Sequence, residues 1–260
     1  MIDLNNLLQY YPKPIAENAA YHKYILKEYV ELLALEYITQ SVFAPQLVFI
    51  GGTCLRLVHG IDRFSEDLDF DCKNLTPEGF QKMTDTLIAH LRAYGMNVEA
   101  RDKDNPHLTA YRRNIYFPEL LFDMKLTGHK EERFLMKIEA QDQGVGYHPQ
   151  TAIVSRNGFL FPVSVPSKSV LLSMKLAALM ARTKGRDFYD TIFLWQQVEP
   201  DYDFLSQRCG ICDPAELKAA IDKKLSEVNL DDKQRDLEHL LFSSSGIKKI
   251  LYFKDFVASR

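Results

Sequence analysis

Between Leu47 and Cys72 the chain reads LVFIGGTCLRLVHGIDRFSEDLDFDC, and two carboxylates, Asp67 and Asp69, stand two residues apart within it. In an extended strand the side chains at i and i+2 lie on one face, so these two acids point the same way. Side by side they repel and raise each other's pKa unless a cation sits between them. A hard divalent ion such as Mg²⁺ takes oxygen ligands and keeps room for substrate phosphates. Upstream, the apolar run Leu47 to Ile50 predicts a buried strand ending in Gly51-Gly52-Thr53. Paired glycines let backbone N–H groups approach a polyphosphate, and the short helix that follows aims its positive end at the same place.

The elements that must position these residues follow from periodicity. Tyr21 to Thr39 carries apolar residues at Tyr21, Tyr24, Ile25, Leu32, Leu35 and Ile38, close to a helical period, and Pro45 breaks the pattern before the first strand. Thr76 as N-cap and Pro77 at the first helical position predict a helix to about Tyr94, stopped at Gly95. Met96 to Lys103, Tyr111 to Phe117 and Phe134 to Gln141 have strand-like content. In the last of these, Glu139 stands in an otherwise apolar strand, with Lys137 two residues before it on the same face. Further on, Ser167 caps a helix through Leu171, Leu172, Leu176 and Leu179, which Gly185 ends near Lys184. Lys175, Arg182 and Arg186 fall close to one face if that helix continues far enough. Asp187 and Asp190 begin a second helix, where the dipole favours carboxylates. Taken alone, basic residues late in one helix and acids early in the next are ordinary.

With 260 residues the chain suits one large domain or two modest ones, divided here as 1–165 and 166–260. Apolar residues at 46% and charged residues at 26% are globular values. A formal net charge of −3 gives no global attraction to nucleic acid, so any such contact must come from a local basic patch. No apolar stretch approaches the roughly eighteen residues that span a bilayer. The N-terminal MIDLNNLLQYYPKP lacks the basic start and apolar core of a signal peptide, so a cytoplasmic protein is expected. Cys54 and Cys72 read as small core residues, and Cys209-Gly-Ile-Cys212 as an inter-helix turn, since no second ligand pair lies at zinc spacing.

The glycine pair at the end of one strand, followed by Asp-x-Asp in the next, resembles the nucleotidyltransferase superfamily typified by DNA polymerase β. That resemblance implies an α+β fold: a polymerase-β-like core, a mixed sheet flanked by helices, then a mainly helical C-terminal part that completes the active site. It also implies a third acid on a neighbouring strand, matched by Glu139, with Asp123 as the competing candidate. A closer resemblance covers most of the chain. Gly51-Gly52-Thr53, Arg63-x-Ser65-x-Asp67-Leu68-Asp69-Phe70, Lys137-Ile138-Glu139, Lys175 and Arg186-Asp187-x-x-Asp190 look like the AbiEii/AbiGii-type nucleotidyltransferase toxins. That family pairs with antitoxins in abortive-infection and toxin–antitoxin operons. Some members transfer nucleotides to the 3′ end of tRNA. The family's required lysine and the aspartate after it carry over to Lys175 and Asp187.

The chemistry so implied is Mg²⁺-dependent transfer of a nucleotide from a nucleoside triphosphate to an acceptor hydroxyl, with Mn²⁺ as the alternative ion. Asp67, Asp69 and Glu139 would hold the metal, two ions stabilising the attacking and leaving oxygens. Gly51, Gly52, Thr53 and Ser65 would bind phosphates, with Lys137, Arg182 and Arg186 as further phosphate-binding candidates. Lys175 would neutralise charge developing on the phosphates. Asp187 would orient Lys175 or Arg182, or accept a proton from the acceptor; Glu139 is the natural general base, with deprotonation through a metal-bound oxygen equally open. The expected acceptor is RNA, tRNA first, and Arg112-Arg113, Arg182, Lys184 and Lys248-Lys249 could supply a basic stripe. A small hydroxyl compound or a protein side chain is the alternative acceptor, and a degenerate binding-only protein the alternative class; three mutually repelling acids count against the latter.

Overall fold

The computed structural model describes residues 2–102 and 110–260. The chain forms two compact units: Met1–His59, Ser65–Asp142 and Thr151–Val165 make the first, and Gly60–Phe64, Gln143–Gln150 and Pro166–Arg260 make the second.

The first unit begins with helices α1 (Leu4–Leu8), α2 (Lys13–Ala16) and α3 (Ala19–Thr39). The sequence pattern implies one apolar face for α3, yet Ile25, Leu26, Val30, Leu32, Leu33, Ala34 and Leu35 are each at most 2% exposed. Other elements cover the helix on several sides, and a helix apolar nearly all round is an interior helix. Glu28 lies in this interior because it is paired: the Arg56 Nε–H donates to it at 2.6 Å and the Tyr11 hydroxyl at 2.8 Å.

Next come β1 (Leu47–Ile50), α4 (Gly51–Leu57), β2 (Asp67–Cys72), α5 (Pro77–Ala93), β3 (Glu99–Ala100), β4 (Tyr111–Tyr116), α6 (Leu120–Asp123) and β5 (Leu135–Gln141). The strands form one mixed sheet in the order β1-β2-β5-β4-β3, with β2 parallel to β5 and the other neighbours antiparallel. Alternation divides the sheet into two faces. Leu68, Phe70, Ile115, Met136, Ile138 and Ala140 are buried on one, and Asp67, Asp69, Arg112, Asn114, Lys137 and Glu139 lie on the other. A one-residue slip would exchange the two sets, so burial of the apolar set fixes the register of the polar one. Thr76 caps α5 as expected, accepting from the Gly79 N–H at 3.0 Å.

Two expectations need correction. Met96 to Lys103 is a strand only over β3, and Lys103 lies outside the described residues. The hairpin β6 (Gln150–Arg156) and β7 (Phe159–Val165) is additional to the expected strands. Asn157 and Gly158, with φ of 53° and 85°, turn it, which is the Asn-Gly signature of a two-residue hairpin.

The second unit holds α7 (Lys168–Arg182), α8 (Gly185–Trp195), α9 (Tyr202–Cys209), α10 (Pro214–Leu225), α11 (Leu230–Arg235), α12 (Ser244–Ile247) and α13 (Phe253–Ala258). Ser167 caps α7, accepting from the Val170 N–H at 3.2 Å. Gly185 does not end that helix. Thr183, at φ 47° and ψ 50°, stops α7 after Arg182, and Gly185 opens α8. Arg186 therefore does not share a continuous helical face with Lys175. Glycine is needed at 185 because a Cβ would overlap the Lys233 carbonyl. Cys209 and Cys212 flank the α9–α10 turn as free, exposed thiols, whereas Cys54 and Cys72 are buried. Among the described residues no helix is long and apolar enough to cross a membrane.

Candidate active site

The polar face of the sheet brings the first-unit candidates together in two rows. In one, Asp67 on β2 faces Lys137 on β5, which faces Asn114 on β4; in the next, Asp69 faces Glu139, which faces Arg112. The parallel β2–β5 register thus sets Glu139 beside Asp69. Asp123 lies instead on α6, outside the sheet. Lys137 Nζ lies 3.1 Å from Asp67 Oδ2 and 3.7 Å from Glu139 Oε1, and Arg112 Nε–H donates to Glu139 Oε1 at 2.7 Å.

These contacts test whether the acids suit a divalent ion. All the donors are hard oxygens on one face, and two of them already converge on a cation, the Lys137 ammonium. With the side chains so paired, no three His, Cys, Asp or Glu groups among the described residues stand close enough to hold a metal. Asp67, Asp69 and Glu139 are the residues that would hold such an ion.

Gly51 is fitted to Asp69. Its φ of +79° lies in the region that favours glycine, and an added Cβ would overlap the Asp69 carboxylate. The β1–α4 turn therefore runs directly against one of the acids. Thr53 departs from its expected role: its hydroxyl is buried and donates to the Asp67 carbonyl, so its proton is spent within the fold. That bond ties α4 to the start of β2. Ser65 is 7% exposed.

Burial also reveals Glu31 on α3, an acid that the sequence pattern does not single out. It is 1% exposed, and its Oε1 has no hydrogen-bond partner among the described residues. Burial, with the nearby Glu28, Asp67 and Glu66 charges, pushes its carboxyl well above the usual range against the opposing pull of Lys27.

In the second unit Lys175 is also partnered, though not by Asp187. Its Nζ lies 2.7 Å from Asp190 Oδ2, and Arg63 grips both Asp190 oxygens through Nε–H and a terminal N–H at 2.7 Å each. Arg63 and Asp190 are fully buried and Lys175 nearly so. Burial would raise the Asp190 carboxyl, but Arg63 and Lys175 outweigh it and hold it at about 2. Asp187 instead takes two hydrogen bonds from Arg182, at 2.9 and 3.0 Å, and one from the Lys184 N–H at 3.2 Å. Of the roles open to Asp187, orienting Arg182 is the one this geometry matches. Arg63 and Asp190 are present in the sequence motif, but their pairing is not; a buried charge needs its partner, and 127 positions separate these two.

Comparison with known proteins identifies the family. The pattern described as "Nucleotidyl transferase AbiEii toxin, Type IV TA system" matches residues 33–245. The chain belongs to that family.

It is therefore an AbiEii-family nucleotidyltransferase, of the toxin type found in type IV toxin–antitoxin systems. Solved structures share its fold. The nucleotidyltransferase toxin MenT4 from Mycobacterium tuberculosis aligns with a TM-score of 0.63 at 16% identity, covering 100% of this chain and 91% of its own. JHP933 from Helicobacter pylori aligns with a TM-score of 0.56 at 18% identity, covering 91% and 90% respectively. No curated protein matches the sequence.

Proposed function

We propose that this AbiEii-family chain transfers a nucleoside monophosphate from a nucleoside triphosphate to the 3′ hydroxyl of an RNA, tRNA first, in a reaction that depends on Mg²⁺ or, failing that, Mn²⁺. The observation that carries this reading is the convergence of Asp67, Asp69 and Glu139 on one polar sheet face, with Asp69 packed on the Gly51 turn. When bound, the ion would supply charge neutralisation at the reacting phosphate. The chain's own residues then have distinct tasks. The Gly51 and Gly52 backbone and the Ser65 hydroxyl hold phosphate oxygens. Lys137, which lies against Asp67 and Glu139, would offer its ammonium to a phosphate. Glu139, the acid beside Asp69 on the neighbouring strand, also takes the acceptor proton.

Lys175 belongs to the same proposal on the chemistry of its own cluster. Two cations share the single Asp190 carboxylate, so one positive charge is left over in a buried setting. Such an excess suits an anion, and the lysine is the member with some exposure. Arg182 and Arg186 serve as further phosphate contacts, and Asp187 acts through Arg182. The reading also includes a cognate antitoxin and a cytoplasmic setting, as befits this family.

The test is a labelling assay with purified chain, Mg²⁺, each α-labelled nucleoside triphosphate in turn, and total bacterial RNA. Label entering tRNA-sized RNA from one nucleotide, absent with Asp69→Ala, is the expected result. Label found only on small molecules or protein would replace RNA as the acceptor.

A further inference from the structure

Beside the acids on the same sheet face lies a cavity of about 390 Å³ lined by Arg101, Asn114, Tyr116, Arg133 and Leu135. We infer that this groove is the docking subsite for the single-stranded end of the RNA acceptor, its two arginines gripping backbone phosphates next to the terminal nucleoside. The inference rests on the nucleotidyl-transfer reading above and adds where the acceptor lies.

The groove continues the row that contains Asp67. Asp67 faces Lys137, Lys137 faces Asn114, and the Arg101 N–H donates to the Asn114 carbonyl at 2.8 Å. With strands about 4.8 Å apart, Asn114 lies about 10 Å from Asp67 along the sheet. An acceptor whose 3′ hydroxyl reaches the acids would lay its preceding nucleotides over this row.

The lining has the chemistry of a single-strand platform. The Arg101 guanidinium lies over the Tyr116 ring, 3.9 Å from its centroid, a cation–π pair of the kind beside which unpaired bases rest. Arg101 also pairs with Glu99 at 3.3 Å, but both are about half exposed, so the pair is weak and exchangeable. Arg133 has no acidic partner among the described residues. Leu135, 37% exposed, gives an apolar floor.

Charge decides between the acceptor and the incoming nucleotide. The Gly51-Gly52 turn and the acids claim the single triphosphate, on the β1–β2 side of the sheet. A nucleotide held there has only base and sugar to offer a groove on β4, whereas an RNA strand brings a phosphate with every residue. Two guanidiniums therefore match the strand.

The experiment measures binding apart from chemistry. Wild type and the Arg101→Ala/Arg133→Ala double variant are titrated against a short fluorescein-labelled single-stranded RNA with a free 3′ hydroxyl, at several salt concentrations. Affinity for each unlabelled nucleoside triphosphate is measured in parallel. The expected result is RNA affinity lower by roughly tenfold and a log–log salt slope shallower by about 1.4, the value for two lost phosphate contacts on a single strand, with triphosphate affinity unchanged. RNA binding that is absent in wild type, or equal in the two proteins, overturns the assignment. Loss of triphosphate affinity with RNA binding intact also overturns it and gives the groove to the incoming nucleotide. A wild type that binds RNA through the groove but transfers no label would remove the proposed function and leave the subsite standing.

Discussion

Lys175 Nζ and Asp190 Oδ2 lie 2.7 Å apart in the second unit, and Asp190 has no exposed surface. The same carboxylate accepts both hydrogen bonds of the Arg63 fork. Removing the acid would leave two buried cations without the carboxylate that pairs them, whereas removing the lysine would leave Asp190 paired. Asp190→Ala is thus expected to lower stability by about 3–5 kcal/mol. Lys175→Met should stay folded and lose transfer. Chemical denaturation alongside the labelling assay separates the two; equal stability losses would refute the asymmetry.

The same cluster fixes an acid limit. Asp190 is held at about 2 in the folded chain, below the roughly 3.9 of a free aspartate. A depressed carboxyl contributes stability that is present above the unfolded value and is lost as pH falls from about 4 towards 2. Its share is on the order of 2 kcal/mol. Comparing wild type with Lys175→Met across this range tests it: removing one of the two cations should narrow the window, and an unchanged acid limb would contradict the assignment.

Glu31 carries the opposite sign. Its folded carboxyl is raised by burial, so the folded state holds its proton more tightly than the unfolded one, and stability is lost as pH climbs above about 4.3. Glu31→Gln keeps the shape without the ionisable proton. The variant should melt higher than wild type at pH 8 and nearly alike at pH 4, by scanning calorimetry. A lower melting temperature at both would mean the carboxylate is charged and paired in the fold.

At Gly51 a side chain meets two obstacles, the left-handed φ and the Asp69 carboxylate. Gly51→Ala should cost about 1–2 kcal/mol from backbone strain alone. The displaced Asp69 should also weaken Mg²⁺ activation. Measuring transfer against Mg²⁺ concentration would check this, and a variant with the wild-type metal requirement would show that the turn does not position the acid.

Asp69→Ala should abolish transfer while leaving the fold intact, because a half-buried acid on the polar face contributes little to packing. Circular dichroism and the labelling assay together decide it. A folded variant with full activity would remove Asp69 from the site.

Sequence alone placed Asp67 and Asp69 on one face, because a strand has a period of two and no tertiary contact can change it. It also set the Gly51-Gly52 turn and the Thr76 and Ser167 caps, all of which rest on local stereochemistry. Register and burial are non-local, and the residues taken alone do not set them; only the family resemblance pointed to Glu139. That Glu139 stands beside Asp69 follows from β2 and β5 pairing in parallel across 70 positions. That Lys175 is held by Asp190 and Arg63, while Asp187 turns to Arg182, follows from which charges the folded core buried together. The end of α7 at Arg182 likewise reflects Thr183 adopting a conformation that its residue type does not announce. Short-range periodicity is written in the chain; the partner of a buried charge is chosen only when the chain closes around it.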